Sequence, residues 1–201
     1  MSETTTAAND ADLPPLTPTL DRLRHHVMAH AVKRGTFTLK SGATSSWFLD
    51  TKQTACRADG IIAVTDALTE VFGDDLDGFD AIGGLTMGAD PMAYGVAAVL
   101  ATRGHELRSF SVRKEAKQGG VTGRIAGALE PGDRVLVTED TTTRGTSLIE
   151  AVDQIAAYGA TPVAMTVIVD RGGTCAAMAD ERSIDFRPLL TAPDLGFGYG
   201  T

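Results

Sequence analysis

Cysteine is scarce in this chain, long apolar runs are missing, and basic residues are outnumbered. The two cysteines, Cys56 and Cys175, have neither metal-ligand spacing nor the number a disulfide framework needs. They read as buried or half-buried thiols in a reducing cytoplasm. No apolar run approaches the roughly 18–20 uninterrupted residues of a spanning helix, which excludes a helical membrane protein. Lys and Arg total 18 against 26 Asp and Glu, for a formal net charge of -8. That balance excludes the broad basic face of a nucleic-acid binder. Any anionic ligand must therefore be caught by local cations and backbone amides. The N-terminal run MSETTTAANDADLPP lacks the basic patch and apolar stretch of a secretory signal, and its composition predicts a disordered leader over 1–15. The remainder, 16–201, is the size of one domain with an ordinary core, since 43% of the 201 residues are hydrophobic.

Along that domain, Thr17 is a helix cap and Pro18 suits the first helical position. Leu20, Leu23, Val27 and Ala31 then form one stripe, predicting a helix over 17–34 stopped by Gly35. Thr36 to Gly42 and Ser46 to Asp50 predict a β-hairpin, and Ala58 to Phe72 a helix closed by Gly73. The chain then alternates. Strands are expected at Phe79–Gly84, Leu107–Val112, Arg134–Thr138 and Pro162–Val169, with helices over 89–102 and 147–158. Lys114 to Gly123 is polar and glycine-rich and predicts a long loop. Apolar strands alternating with amphipathic helices give an α/β fold with a mostly parallel sheet covered on both faces. His25, His26, His30 and His105 form no ligand set and read as structural or surface residues.

In such sheets ligands bind beyond the carboxyl ends of the strands. The most informative segment there is Glu139-Asp140-Thr141-Thr142-Thr143-Arg144-Gly145-Thr146-Ser147, between the strand Val135-Leu136-Val137 and a helix. Thr142 to Ser147 offers hydroxyls and N–H groups at a helix start, where the dipole favours a phosphate. Gly145 permits close approach of the backbone. Glu139 and Asp140 would repel that phosphate if they faced it; they point either to neutral hydroxyls or to a metal ion carried by the ligand. A phosphate at one end and vicinal hydroxyls at the other describe a ribose 5-phosphate.

This nonapeptide resembles the phosphoribosyl-diphosphate signature of type I phosphoribosyltransferases. Four further segments, in order between about Thr36 and Asp194, are similar to those of orotate phosphoribosyltransferases. Phe37 to Gly42 with Ser45 and Phe48 resembles the substrate hairpin, and Gly83 to Pro91 the diphosphate turn. Arg113-Lys114-Glu115-Ala116-Lys117 resembles the mobile catalytic loop, and Asp170-Arg171 the base-contacting arginine. The resemblance implies the type I phosphoribosyltransferase fold, with a small hood built from the N- and C-terminal segments. It implies transfer of the 5-phosphoribosyl group from phosphoribosyl diphosphate to orotate. Arg113, Lys114 and Lys117 would be catalytic, with Lys40 and the nonapeptide on the sugar diphosphate and Phe48, Thr143 and Arg171 on orotate. No metal would be held by the protein alone, magnesium arriving with the diphosphate. A cytoplasmic homodimer sharing the loop around Lys114 is also implied. Two positions depart from the pattern: Lys117-Gln118-Gly119-Gly120 lacks a histidine after the second loop lysine, and Arg144 replaces a small residue. Met87 stands where some members place a lysine. A phosphoribosyltransferase for another base, or a non-catalytic binder of phosphoribosyl diphosphate, are the alternatives.

Overall fold

The computed structural model describes residues 13–38, 44–117 and 123–200. The expected leader lies outside them up to residue 12. Helix α1 (Pro18–His30) starts as its sequence directs, with Thr17 Oγ1 accepting from the Leu20 N–H at 3.3 Å and Pro18 in the first turn. It ends at His30 rather than Arg34. Val32, Lys33 and Arg34 instead open β1 (Val32–Thr38) and pair with Leu49, Phe48 and Trp47 of β2 (Thr44–Leu49). Cross-strand pairing outweighs the local helical pattern there. The two strands pair antiparallel, as expected, while residues 39–43 between them lie outside the described residues.

A short helix α2 (Lys52–Ala55) follows, closed by Cys56, which is exposed rather than half-buried because it ends a one-turn helix. Cys175 is buried, and burial followed by the Asp170 charge pushes its thiol up to about 11. The alternating region comprises α3 (Ala58–Phe72), β3 (Ala81–Leu85), α4 (Asp90–Ala101), β4 (Arg108–Lys117), β5 (Gly123–Gly127), β6 (Arg134–Thr142), α5 (Thr146–Tyr158), β7 (Thr161–Asp170), α6 (Cys175–Asp180), β8 (Asp185–Phe186) and β9 (Leu190–Thr191). The segment expected to be a loop from Lys114 is a strand as far as Lys117. Lys117 lies opposite Gly123 of β5, with a register shift between Val112 and Lys117, so the backbone here extends along the sheet edge rather than looping from Lys114.

The main sheet has the order β5-β4-β3-β6-β7-β8, with β9 also on β7. Only β4 and β5 run antiparallel. Alternate residues supply two cores. Ile82, Leu136 and Ile168 face a cluster with Leu23, Leu68 and Met92 of α1, α3 and α4. Leu85, Val137 and Val167 face a second cluster with Leu148 and Ile155 of α5. The hairpin and the C-terminal segment form a hood, joined where Trp47 stacks on Phe197 at 4.0 Å between ring centroids, 3° from parallel.

The order places the topological switch between β3 and β6. From β3 the chain moves outward to β4 on one side, then returns to β6 on the other. The turns after these two strands therefore diverge from a shared crevice.

Candidate active site

A cavity of about 380 Å³ opens at that switch point. Leu85, Thr86, Met87 and Gly88 from the turn after β3 line one side. Glu139, Asp140, Thr141 and Ser147, from the end of β6 and the start of α5, line another, and Lys52 and Lys114 complete it. The β6 end is held locally. Asp140 Oδ1 accepts from the Thr141 N–H at 2.9 Å, and Thr141 Oγ1 donates to the Val169 carbonyl at 3.0 Å. Thr142 is buried and its Oγ1 accepts from the Gly145 N–H at 2.9 Å, folding the chain back into α5. Gly145 takes the left-handed conformation, φ 76°, immediately ahead of the helix, which a side chain would disfavour. Helix α5 thus begins beside the cavity with the unpaired N–H groups of its first turn and the positive end of its dipole.

The acidic pair is buried. Asp140 forms an ion pair with Lys52, and Glu139 lies against the turn after β3. A Cβ added to Gly88 would sit 1.5 Å from Glu139 Oε1, so the absent side chain at 88 is what lets the turn close over the carboxyl. Burial, then the neighbouring Asp140 charge, raises Glu139 from its ordinary 4.5 to about 8.

Residues 57–181 match the model of the Phosphoribosyl transferase domain. The chain is 40% identical over 175 residues to an orotate phosphoribosyltransferase of Streptomyces avermitilis, covering 87% of this chain and 95% of that one. The chain belongs to the orotate phosphoribosyltransferase family. Among solved structures, Mycobacterium tuberculosis orotate phosphoribosyltransferase in complex with Fe(III) dicitrate superposes with a TM-score of 0.79 at 31% identity, covering 90% of this chain and all of that one. The same protein in complex with 5-phospho-alpha-D-ribosyl 1-diphosphate superposes with a TM-score of 0.75 at 29% identity, with the same coverage as that complex. The type I phosphoribosyltransferase fold is therefore the fold of this chain.

Within that family frame, the residues singled out in the sequence fall into three groups. Glu139, Asp140, Thr141, Ser147 and Lys114 line the cavity. Thr142 lies buried beneath it, while Thr143, Arg144 and Thr146 are exposed on the same turn. Arg113 is half-buried and its carbonyl accepts from Arg124 Nε at 2.5 Å. Lys117 ends β4, and Lys40 lies outside the described residues. Phe48 and Arg171 are elsewhere in the hood. Phe48 is 40% exposed, next to Phe37, on the face of β2 opposite Trp47. Arg171 is half-buried with its guanidinium 4.2 Å from the centre of the Trp47 ring, and burial lowers its pKa. Its N–H donates to the Thr142 carbonyl at 2.8 Å, which ties it to the turn between β6 and α5. None of the four histidines lines the cavity.

Gly83 and Gly84, which open the segment resembling a diphosphate turn, lie within β3. Side chains there would strike the backbone oxygens of Phe110 and Thr138 at 2.5 and 2.0 Å, so these glycines serve sheet packing. Two site features had no expectation attached to them, the Lys52 ammonium beside Asp140 and the buried Trp47 beneath Arg171. Lys52 carries no motif, and Trp47 gave only the alternation of a hairpin strand.

The raised Glu139 value has a thermodynamic consequence. Between 4.5 and about 8 the folded protein holds a proton that the unfolded chain has released. Stability is therefore lost as pH rises through that window. Glu139→Gln is expected to remove this loss, so the melting temperature of the variant relative to wild type should climb from about pH 5 to about pH 8. Thermal melts at both ends check it; a pH-independent difference would contradict it.

Proposed function

We propose that this protein transfers the 5-phosphoribosyl group from phosphoribosyl diphosphate to orotate, giving orotidine 5'-monophosphate and diphosphate. The observation that carries the reading is the cavity at the switch point, where Ser147 at the start of α5, a buried acidic pair and two lysines line one volume. The family membership and the names of the relatives support the choice of base.

In this reading the 5'-phosphate sits in the turn of Thr142, Thr143, Arg144, Gly145, Thr146 and Ser147, accepting from N–H groups and hydroxyls. Asp140 and Glu139 accept hydrogen bonds from the ribose hydroxyls. The anomeric C–O bond breaks with its electron pair leaving on the diphosphate, the orotate ring nitrogen forms the new C–N bond, and its proton is released. Charge builds on the departing diphosphate, so catalysis is mainly electrostatic stabilisation of that group together with exclusion of water. Arg113, Lys114 and Lys117 supply the cations, with Lys40 beside the sugar diphosphate. The ribbon of β4 and β5 serves as the cover, the segment 118–122 between its strands lying outside the described residues. Orotate would meet Thr143 and Phe48, and Arg171 would pair with its carboxylate.

Among the described residues no group of three or more His, Cys, Asp or Glu could hold a metal. The Asp140 carboxylate, with the Glu139 carboxyl beside it, suits a magnesium ion that arrives with diphosphate oxygens and needs few protein ligands. Such an ion, faced by Glu139 and Asp140, would neutralise diphosphate charge. We further propose that the protein works in the cytoplasm as a homodimer in which the segment around Lys114 serves the neighbouring subunit's site. No helix of the described residues is long and apolar enough to cross a membrane.

The test is the loss of orotate absorbance on mixing protein, magnesium and phosphoribosyl diphosphate. A decline with orotate and none with adenine or guanine is expected. Turnover of a purine instead would move the protein to another base, and intact binding without turnover would make it a non-catalytic binder.

A further inference from the structure

The cavity lining is poor in positive charge for a site that takes a diphosphate. It includes two carboxylates, Glu139 and Asp140, and two cations, Lys52 and Lys114. The turn after β3 contributes Thr86, Met87 and Gly88, with Met87 65% exposed and no charged side chain among them. Charge for a ligand lying along that turn must come from another element.

Lys52 is placed to supply it. It begins α2, directly after the hairpin, and reaches across 88 residues of sequence to pair with Asp140. The two partners differ in access, Lys52 having a side chain 39% exposed and Asp140 one only 8% exposed. The more open partner of the pair is therefore Lys52, which also lines the cavity. An ammonium has three donors, and its bond to Asp140 uses one, which leaves donors for a ligand in the cavity it lines. Burial alone would lower the Lys52 pKa, but the hydrogen bond to Asp140 and the charges of Asp140, Glu139 and Asp50 outweigh it, and the net direction is up. The group stays charged.

Resting on the functional reading above, we infer that Lys52 is a further substrate-binding residue whose ammonium bridges Asp140 and the diphosphate of phosphoribosyl diphosphate. Asp140 is asked to accept from sugar hydroxyls next to a group bearing several negative charges. An unpaired carboxylate there would repel the diphosphate. With Lys52 between them, one cation neutralises the acid and grips the leaving group, fixing the distance between the sugar and the diphosphate.

The experiment separates the two ends of the ligand. Wild type, Lys52→Gln and Lys52→Met are titrated by calorimetry with phosphoribosyl diphosphate, inorganic diphosphate and ribose 5-phosphate, each with magnesium. Losing a hydrogen bond to a charged group should weaken both diphosphate ligands at least about tenfold while ribose 5-phosphate stays within about twofold. Lys52→Arg should recover most of the loss. Lys52→Met keeps the apolar stem, so it carries the test if the glutamine variant does not fold. Equal losses for all three ligands would mean that Lys52 acts only by holding Asp140, and would overturn the inference, as would unchanged binding of all three. Wild-type protein that binds none of them would overturn the functional reading and this inference together, a result distinct from any selective change in the variants.

Discussion

Gly172→Ala is expected to lower kcat/KM for phosphoribosyl diphosphate by about a hundredfold, because displacing a substrate-positioning turn by about 1 Å costs that much in rate. The cause lies in how closely two turns approach. Gly172 follows β7, and a Cβ built on it would lie 1.6 Å from the Thr143 carbonyl oxygen and 2.5 Å from its carbon. Both are backbone atoms, so no side-chain rotation relieves the clash. The segment around Gly172 is itself anchored. Asp170 Oδ1 accepts from the N–H groups of Gly172 and Gly173 at 3.0 and 3.1 Å, and the Arg171 N–H donates to the Thr142 carbonyl at 2.8 Å. The anion turn must therefore give way. Overpacking of this kind costs about 1–3 kcal/mol of stability, so the melting temperature should fall as well. Gly78→Ala is the control, since nothing lies within 4 Å of the position its Cβ would take. Steady-state kinetics and thermal melts of both variants decide the matter. A Gly172→Ala protein with the wild-type kcat/KM would show that the turn does not hold the phosphate.

Arg171→Ala should raise the orotate KM about 10- to 100-fold while the phosphoribosyl diphosphate KM changes by less than about twofold, as expected for removing one hydrogen-bonded charge from one ligand. The guanidinium is oriented by stacking. It lies over Trp47, which is fully buried and stacked in turn on Phe197, with the Arg34 guanidinium 5.4 Å from the Phe197 ring centre. Burial lowers the Arg171 pKa, yet an arginine remains charged throughout the working range. A desolvated, stacked cation forms stronger contacts with a carboxylate than a hydrated one. Lys at this position keeps the charge but not the planar fork, and should fall between wild type and Ala. Steady-state kinetics with each substrate varied in turn provide the measurement. Equal losses for both substrates would contradict the assignment of Arg171 to orotate. A loss of stability in Trp47→Ala accompanied by the same selective rise for orotate would support the stacking account.

Much of the fold was written locally. Val135, Leu136 and Val137, and Met165, Val167 and Ile168, give continuous apolar strands because both faces of a parallel sheet are covered. Thr17 with Pro18, and Gly159 after α5, mark helix ends through conformational demands confined to one or two residues. The nonapeptide of 139–147 was legible for the same reason, since a strand end, a turn and a helix start are contiguous in the chain. The failures occur where distant segments decide. Residues 32–34 carry a helical pattern but are claimed by β2, and the segment from Lys114 reads as loop but stays in β4 as far as Lys117, which pairs with Gly123 of β5.

What the sequence determined unaided is the class of the fold and the strand–turn–helix course of 139–147 with its acidic pair, because periodicity, capping and turn chemistry act over a few neighbouring residues. Only the tertiary structure decided that Lys52 stands beside Asp140, that Trp47 and Phe197 support Arg171, and that Gly172 presses on Thr143. Those contacts join residues brought together by sheet order and by closure of the hood. A side chain's own neighbours in the chain carry no record of which distant partner will neutralise or support it.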